Sequence, residues 1–410
     1  MNCDRENHRS RFARAAAFIV SMIVLTAASA RLRADVGMCG GASITIPFTD
    51  VPSSNIFFCS IAAAYFSGLA NGTTTTTYTP GQAVPREQMA AFVSRTLNQS
   101  LRRRNRRAAL NQWWTPTLFP EHAKTPVVTG SEMVAYDGAD LWVANFSSET
   151  VTRVRASDAL VLQTWTGAND AHGVLVAQGA IYITGRSNPG RLYKILPTTG
   201  GGSPPVTLVT DQLGATPEGI AFDGAAVWTA NIGGSVSKVL NEAVTTVSIG
   251  FSSPAGILYD GSNIWVADQG DSKLKKLNSD ATIALSVPVG TAPQQPVFDG
   301  TNIWVPNIGV DSNSVTVVRV KDAGGKPLAA PFVLATLTGN GLSGPLTAAF
   351  DGERILVANT YGDSVSLWRA ADLTPLGSVL IGSGSFIHGA CSDGVNFWIT
   401  LAGPNKLLRF

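Results

Sequence analysis

Charged residues are scarce in this sequence, because Lys, Arg, Asp and Glu together make up 14% of the 410 residues. Histidine and cysteine each occur only four times. The sequence has no Gly-rich phosphate loop, no nucleophile elbow, no His-Glu-x-x-His and no cysteine pairs at zinc-ligand spacing. The usual catalytic and zinc-binding machinery is therefore missing.

A long hydrophobic run is also missing. The longest apolar stretch is Ala15–Ala28, and it is shorter than the roughly 20 consecutive apolar residues that a membrane-spanning helix needs. Four arginines precede this stretch, and Ala28-Ser29-Ala30 ends it. That order is typical of a secretory signal peptide, so we predict that residues 1–30 are removed. The mature protein is then secreted or held at the cell surface or envelope without a transmembrane helix; an uncleaved N-terminal anchor is the alternative.

The mature chain also lacks a charge of one sign. Residues 1–30 hold four Arg and two acidic residues, so their removal leaves 26 basic and 26 acidic side chains. This balance argues against binding to nucleic acid. The predicted linker, residues 101–124, is nevertheless basic, with five arginines between Arg102 and Arg107. Such a run either lies on an anionic polymer or membrane surface or is simply solvated.

Glycine and proline are abundant, with 41 and 22 residues, and Thr, Val and Ser are frequent. This composition is typical of an all-β protein with short strands and many turns. The sequence repeats itself after Pro120, most clearly in residues 217–231 and 254–268, where Asp-Gly precedes Val-Trp or Ile-Trp. Seven copies follow one another at spacings of 37 to 52 residues, and their aromatic or equivalent positions are Trp142, Tyr182, Trp228, Trp265, Trp304, Leu356 and Trp398.

Each copy predicts four strands. In the third copy these are Gly219–Phe222, Val227–Ala230, Ser235–Val239 and Thr245–Ile249, and the Asp-Gly pair suits a tight hairpin. Four strands in about 43 residues is the signature of a propeller blade. The last copy lacks a fourth strand, and residues 125–130 resemble one. We therefore predict that residues 125–410 form a seven-bladed β-propeller, closed by this N-terminal strand, which removes an unpaired sheet edge.

These repeats resemble the YVTN and NHL classes of propeller, in which Asp-Gly and a Trp-Val-Ala-Asn-type strand recur. That resemblance implies the fold but not the function, because such rings host both binding proteins and enzymes. The tryptophans are predicted to pack one blade against the next. The asparagines that end the second strands are predicted to serve the following turn; they are Asn145, Asn231, Asn307 and Asn359.

Residues 38–100 predict a small helical module before the linker. An apolar helix from Phe57 ends near Gly68, a Thr-rich loop follows, and a second helix starts at Pro85, with Met89, Phe92, Val93 and Leu97 on its apolar stripe. Phe48-Thr49-Asp50-Val51, Tyr65-Phe66, Tyr78-Thr79-Pro80 and Val84–Ala90 resemble pieces of the S-layer homology (SLH) motif.

The SLH resemblance implies binding of an anionic cell-wall polysaccharide, with Arg86 as the candidate partner for an acidic sugar substituent. The alternative is that Arg86 is a solvated side chain at a helix start. In an oxidising compartment, Cys39 and Cys59 are candidates for a disulfide.

The residue ten positions before each Trp-equivalent enters the innermost strand of its blade. In blade order these residues are Glu132, His172, Glu218, Ala255, Gln294, Leu346 and His388. The four titratable ones come from blades 7, 1, 2 and 3, which are neighbours on the ring. We therefore predict that His172, His388, Glu132 and Glu218 meet at the mouth of the central channel.

Two histidines and two carboxylates at one opening can hold a divalent metal or supply a general base with an orienting carboxylate. The arrangement resembles that of the streptogramin lyase propellers, which use a histidine at the channel mouth with a metal. The alternative is a polar, solvated opening without a ligand. The sequence favours a non-enzymatic, envelope-associated binding or scaffold protein with a protein or small-molecule ligand. A metal-assisted lyase or hydrolase is the alternative function.

Overall fold

The computed structural model describes residues 36–39, 42–66, 70, 72–86, 88–90, 124–127, 129–197, 205–309 and 312–410. The chain divides into two compact units, Met1–Arg103 and Arg104–Phe410. The predicted signal peptide and residues 101–123 of the predicted linker lie outside the described residues. Lys124, the last residue assigned to that linker, instead begins a strand. In the described part of the chain, no helix is both long and apolar enough to cross a membrane.

The first unit is not purely helical, and the prediction of a helical module was wrong in this respect. Strands β1 (Val36–Cys39) and β2 (Ala42–Thr45) form an antiparallel hairpin, and helix α1 spans Phe58–Phe66. The sequence carries only a weak signal for this hairpin. Gly40-Gly41 is a typical turn pair, but the segments on either side of it have only four residues each. Residues 86 and 88–90 are helical, where the second helix was predicted, whereas Phe92, Val93 and Leu97 lie outside the described residues.

A small apolar core and one disulfide hold this unit together. Phe48 is buried, and its ring centroid lies 5.1 Å from that of Tyr65 and 5.2 Å from that of Tyr78. Cys39 at the end of β1 and Cys59 in α1 form a disulfide with Cα atoms 5.5 Å apart. The cross-link adds to a core that is too small to be very stable alone.

The second unit is a seven-bladed β-propeller, which confirms the predicted fold class. Every blade is a four-stranded antiparallel sheet. The strands of blades 1 to 3 are β4–β7 (Ser131–Tyr136, Asp140–Asn145, Thr150–Arg155, Val161–Thr166), β8–β11 (Ala171–Ala177, Ala180–Gly185, Gly190–Ile195, Thr207–Leu213) and β12–β15 (Pro217–Phe222, Val227–Asn231, Ser235–Leu240, Ala243–Val247).

Blades 4 to 6 continue the pattern, with blade 5 built from longer outer strands. Their strands are β16–β19 (Pro254–Tyr259, Ile264–Asp268, Lys273–Leu277, Ile283–Pro288), β20–β23 (Val297–Phe298, Asn302–Gly309, Ser312–Lys321, Pro327–Leu337) and β24–β27 (Pro345–Phe350, Arg354–Asn359, Ser364–Arg369, Pro375–Leu380). The fourth strand of blade 3 starts two residues earlier than predicted, and Ile249, predicted to end it, is exposed instead.

Blade 7 is completed from the other end of the chain. It contains β28–β30 (Ile387–Ser392, Phe397–Leu401, Lys406–Arg409), and its fourth strand is β3 (Lys124–Pro126), which pairs antiparallel with β30. The backbone N–H of Val127 donates to the carbonyl oxygen of Asn405 at 3.0 Å and extends this pairing. The predicted closure of the ring by an N-terminal strand is confirmed, with a shorter strand than residues 125–130.

The repeated Asp-Gly and Trp residues build one structure in five blades. In blade 4, Asp260 accepts the backbone N–H groups of Ser262 and Asn263 through Oδ1, and the indole N–H of Trp265 through Oδ2 at 2.8 Å. Of the two turn residues, Gly261 has positive φ and Asp260 does not. The aspartate therefore serves as an acceptor that joins the turn to the buried indole.

Seven apolar clusters join neighbouring blades, one cluster for each of the seven interfaces. Trp142, for example, packs with Ile181 and Ile183 of blade 2, and Trp398 packs with Leu141 and Val143 of blade 1. This packing confirms the predicted role of the tryptophans. The first strands of successive blades also contact one another around the whole ring, so they are the innermost strands.

Candidate functional site

The channel-mouth residues occupy equivalent places in the seven blades. In six blades the residue is the second of the innermost strand, and in blade 5 Gln294 lies just before β20; these residues are Glu132, His172, Glu218, Ala255, Gln294, Leu346 and His388. Since the innermost strands begin on the face where each fourth strand connects to the next first strand, the seven side chains belong to that face, which we call the mouth face.

Glu132 joins the two histidines. Its Oε2 lies 2.5 Å from Nδ1 of His388 and 3.7 Å from Nε2 of His172. The His172 side chain is almost fully buried, whereas about a quarter of the His388 side chain is exposed. Blades 7, 1 and 2 thus bring a carboxylate and two imidazoles together, as the sequence predicted, and His388 is the member most open to solvent.

Glu218 does not join this group directly, because it has a partner that the sequence analysis missed. Nη2 of Arg186 lies 2.7 Å from Oε1 of Glu218. The guanidinium carbon of Arg186 also lies 5.8 Å from the centroid of the Phe146 ring. Arg186 therefore links blades 1, 2 and 3 on the mouth face, through a cation–π contact and an ion pair.

A positional signal for Arg186 was present in the sequence. It is the residue after the second strand of its blade, and the same position in two other blades also bridges to the next blade. The amide N–H of Gln294 donates to Oε1 of Gln269 at 2.9 Å, and the Thr360 hydroxyl donates to the carbonyl oxygen of Ile387 at 2.6 Å. The position after each Trp-Val-Ala-Asn-type strand therefore belongs to the mouth face.

Close approach of neighbouring strands fixes the backbone of the site. A Cβ atom on Gly173 would lie 2.4 Å from the carbonyl oxygen of Glu218, and one on Gly389 would lie 2.5 Å from the carbonyl oxygen of Glu132. Glycine is thus required directly after His172 and His388, where the innermost strands of adjacent blades nearly touch. The four predicted side chains project from a tightly packed ring.

The local electrostatics keep Glu132 ionised. Burial by itself raises the pKa of Glu132, but the hydrogen bond from His388 and the nearby His172 and Arg186 groups outweigh burial, so the pKa lies below its usual range. Since an ionised carboxylate only accepts hydrogen bonds, Nδ1 of His388 is the donor in this contact.

Burial has the opposite consequence for His172. It lowers the pKa of His172 below the usual 6.5, against the opposing effects of Glu218 and Glu132, and Arg186 lowers it further. The backbone of Glu218 lies near the ring, yet no hydrogen bond of normal geometry from the described residues reaches the buried Nδ1 atom. A neutral imidazole, with one nitrogen unpaired among those residues, therefore lies behind the Glu132–His388 pair.

The predicted four-ligand metal site is not formed in this arrangement. Among the described residues, no group of three or more His, Cys, Asp and Glu side chains has the geometry to hold a metal ion. Glu218 is bound to Arg186, and Nδ1 of His388 is directed at Glu132 rather than at a shared centre. The guanidinium group of Arg186 already occupies the position beside the Glu218 carboxylate.

The remaining candidate residues lie in the first unit. The Arg86 side chain is exposed at the start of the helical residues near Pro85, as both of its predicted roles require. Cys39 and Cys59 are joined to each other and are not free for other chemistry.

Two exposed aromatic side chains also lie on the mouth face. Phe386 precedes His388 by two residues, has φ of 44° and is 54% exposed. Oδ1 of Asp363 accepts its backbone N–H at 2.8 Å, and this contact holds the loop. Tyr361, in the neighbouring blade, is 74% exposed. Neither residue was predicted from the sequence. The positive φ of Phe386 is rare for a phenylalanine, and only the structure reveals it.

No known protein family matches the chain by sequence profile, and no curated protein sequence matches it. Solved structures match the propeller. A streptogramin B lyase is 15% identical, covers 70% of this chain and 96% of its own, and has a TM-score of 0.56. Virginiamycin B lyase from Staphylococcus aureus is 12% identical, with 70% and 98% covered and a TM-score of 0.57. Hydrazine synthase from Kuenenia stuttgartiensis is 17% identical, with 70% and 97% covered and a TM-score of 0.54.

At these identities the likeness shows the fold alone. The chain contains a seven-bladed β-propeller that resembles virginiamycin B lyase and the repeat propellers of the YVTN type. Proteins with different named activities share this fold, so the function has to be argued from the side chains at the mouth face.

Proposed function

We propose that the protein is an exported, envelope-associated binding protein whose propeller takes its ligand at the mouth face. One observation supports this most: Glu132, an ionised and largely buried carboxylate, is held by His388 at the channel entrance. Burying a charge is costly unless it is paired, and perturbed groups of this kind cluster at functional sites.

The positions in the other blades support the same proposal. On the opposite arc the equivalent residues are Ala255, Gln294 and Leu346, which carry no charge. At these seven positions, charge is therefore confined to blades 7, 1, 2 and 3, where Arg186 adds a donor and Phe146 an aromatic face. A ligand there meets hydrogen-bond acceptors, donors and an apolar surface together, as small-molecule sites require.

A ligand screen by thermal unfolding tests this proposal. The unfolding midpoint of the mature protein is measured with a panel of sugars, amino acids, peptides and nucleosides, and with the double variant Glu132→Gln, His388→Gln. A ligand of the site raises the midpoint of the native protein but not that of the double variant. Val395→Ser, an exposed change on the opposite face, is the control. Equal responses of all three proteins to every compound would remove the mouth face as the binding site.

For the first unit we propose association with an anionic cell-wall polysaccharide through an SLH-like module. The segments that resemble the motif meet each other: Oδ1 and Oδ2 of Asp50 accept the backbone N–H groups of Tyr78 and Thr79 at 2.8 and 2.6 Å. Phe48 packs on Tyr65 and Tyr78. Arg86 is exposed nearby in sequence and is free to approach a polymer.

Sedimentation with purified cell walls tests the anchoring proposal. Native protein, Arg86→Ala and the control Gln88→Ala, which changes a neighbouring exposed residue, are compared. Wall-bound protein should fall several-fold for Arg86→Ala alone. Retention that is the same for both variants would remove Arg86 from the proposal, and no retention of native protein would remove the anchoring role.

A lyase or hydrolase acting at the mouth face is the second candidate. It is favoured by the Glu132–His388 pair, because a carboxylate on Nδ1 leaves Nε2 of a partly exposed imidazole as a general base. The residues present do not fit the metal that the sequence analysis considered, so the chemistry would be acid–base chemistry by the chain itself. Turnover of chromogenic esters or lactones that is lost in His388→Gln and Glu132→Gln would support it.

A further inference from the structure

Blade 4 departs from the other blades at a buried position where its second strand ends. Four blades end their second strand in an asparagine whose amide donates to a hydroxyl on the third strand; the pairs are Asn145–Thr152, Asn231–Ser237, Asn307–Thr316 and Asn359–Ser366. Blade 4 instead has Asp268 and Lys275 at these two places. A neutral amide–hydroxyl contact is thus replaced by a carboxylate and an amine.

The amine and the carboxylate are buried together. Nζ of Lys275 lies 2.6 Å from Oδ2 of Asp268, and the two side chains are 2% and 0% exposed. Nζ also lies 2.7 Å from the carbonyl oxygen of Gly250 and 2.7 Å from Oδ2 of Asp271. Lysine is almost never buried this deeply, because removing an ammonium ion from water is costly even when it is paired.

The Asp268 carboxyl group is surrounded by donors. Its Oδ2 accepts the backbone N–H of Ser252 at 2.9 Å, and its Oδ1 accepts those of Ser253 at 2.8 Å and Gly270 at 3.3 Å. Fixed N–H groups aimed at a carboxyl oxygen stabilise the negative charge that develops there when a nucleophile adds to the carbon. The same contacts also hold the carbon in place.

Asp271 completes the set. Its Oδ2 contacts Nζ of Lys275, while its buried Oδ1 has no hydrogen-bond partner among the described residues. The Asp271 side chain is 28% exposed, so it connects the buried pair with solvent. A second carboxylate beside an amine is the group needed to accept a proton from the amine and return it to a leaving oxygen.

We propose that Lys275 and Asp268 condense into an intramolecular amide that cross-links the second and third strands of blade 4. Asp271 removes a proton from the Lys275 ammonium, and the freed lone pair of Nζ attacks Cγ of Asp268. The bond from Cγ to Oδ2 breaks, and that oxygen leaves as water, with one proton returned by Asp271 and one released from Nζ. One C–N bond forms, one C–O bond breaks, and no oxidant or cofactor is consumed.

The buried ion pair of blade 6 is the internal comparison. Arg354 and Asp351 are 4% and 2% exposed, and Nη2 of Arg354 lies 2.9 Å from Oδ2 of Asp351. A guanidinium group stays protonated in proteins and offers no lone pair for attack. Burial of a charged pair therefore occurs in both blades, whereas the amine, the polarised carboxyl group and the second carboxylate coincide in blade 4.

Intact-mass measurement and peptide mapping of the full, purified protein test the cross-link. After reduction of the disulfide, the native mass should be lower than the sequence mass by one water, and digestion should give one branched peptide joining Lys275 to Asp268. Lys275→Arg and Asp271→Asn should have full mass. Asp268→Asn should give the same cross-linked product as the native chain, with ammonia as the leaving group.

A full native mass after prolonged incubation of the folded protein at neutral and mildly acidic pH would overturn the proposal and leave an ordinary buried ion pair. A native mass lowered by one water whose mapped peptides place the loss elsewhere in the chain would also overturn it. Because the decisive readout is the mass of the native protein, the test does not depend on whether any variant folds.

Discussion

The two faces of the propeller differ in how closely the seven blades agree. On the face of the Asp-Gly turns, five blades repeat one arrangement, with indole N–H donors 2.7 or 2.8 Å from an aspartate oxygen. On the mouth face, the equivalent positions carry carboxylate, imidazole, amide and apolar side chains in turn.

This difference distinguishes residues that stabilise the ring from residues that are candidates for binding a ligand. A contact repeated in most blades is explained by the blade itself, because every blade has the same turn and the same interface to satisfy. A side chain that occurs at one place in the ring is not explained in that way. The mouth face therefore carries the functional proposals, and the turn face is expected to carry stability.

The largest effect is expected from opening the ring that both faces share. A chain that begins at Ser131 lacks β3, which leaves β30 as an unpaired edge and removes Val127 from the apolar cluster that contains Leu407. We expect a loss of about 3–6 kcal/mol in unfolding free energy, from several backbone hydrogen bonds at about 1 kcal/mol each and one apolar side chain at about 1.5–3 kcal/mol. Denaturant unfolding measures it, with a chain that begins at Glu121 as the control. Equal stability of the two chains would contradict the closure by β3.

A single turn-face substitution should cost less. Asp260→Ala removes the acceptor of two backbone N–H groups in a partly exposed turn and of the buried Trp265 indole. We expect a loss of about 1–3 kcal/mol, because the buried indole N–H is left unsatisfied. Asp299→Ala in blade 5 should cost a similar amount, since the geometry repeats. Widely different costs of the two substitutions, or a change in ligand binding by either variant, would contradict the proposed division between a stabilising turn face and a ligand-binding mouth face.

On the mouth face, His172 should make stability depend on pH. Its pKa is lowered in the folded state, so its contribution is present above the unfolded value of 6.5 and is lost as the pH falls below it. The loss should approach about 1.4 kcal/mol per pH unit until the folded pKa is reached. Chemical unfolding between pH 7 and pH 5 measures it. The His172→Gln variant should lose this component, and an identical slope in the variant would contradict the assignment.

The smallest effect is expected for Glu132→Gln. Because the pKa of Glu132 is lowered in the folded state, its contribution is present above the usual value of 4.5 and disappears as the pH falls through the folded pKa. We expect about 1 kcal/mol at pH 7, the typical net contribution of one hydrogen bond. Native protein and variant should converge in stability once the pH has fallen below the folded pKa. A larger cost than that of Asp260→Ala would reverse the comparison of the faces.

Much of the fold was predictable because one repeated sequence motif specifies each blade. The spacing of the Trp-equivalents predicted seven blades, and the missing last strand of the final copy predicted closure from the N-terminal side. The hairpin of Val36–Thr45 was missed, since each of its strands has only four residues and little alternation. Short elements are poorly specified by local sequence and depend on what packs against them.

The site was predictable only in part. Counting from the Trp positions placed Glu132, His172 and His388 together, as observed. The same count placed Glu218 with them as one candidate metal ligand, and Arg186 was not considered because it belongs to a different position of the repeat. The Lys275–Asp268 pair was also missed, since the groups that contact it include the backbone of Gly250 and Ser252. Both residues lie in the connection that precedes blade 4.

The sequence by itself determined the blade count, the ring closure, the packing of the tryptophans and the arc on which charge is concentrated. These features follow from periodicity, which is a property of the chain. Tertiary structure alone decided that Glu132 meets His388 and that Glu218 meets Arg186, because these partners belong to different blades. Glu132 meets a histidine 256 residues away, and only the closed ring brings them to 2.5 Å.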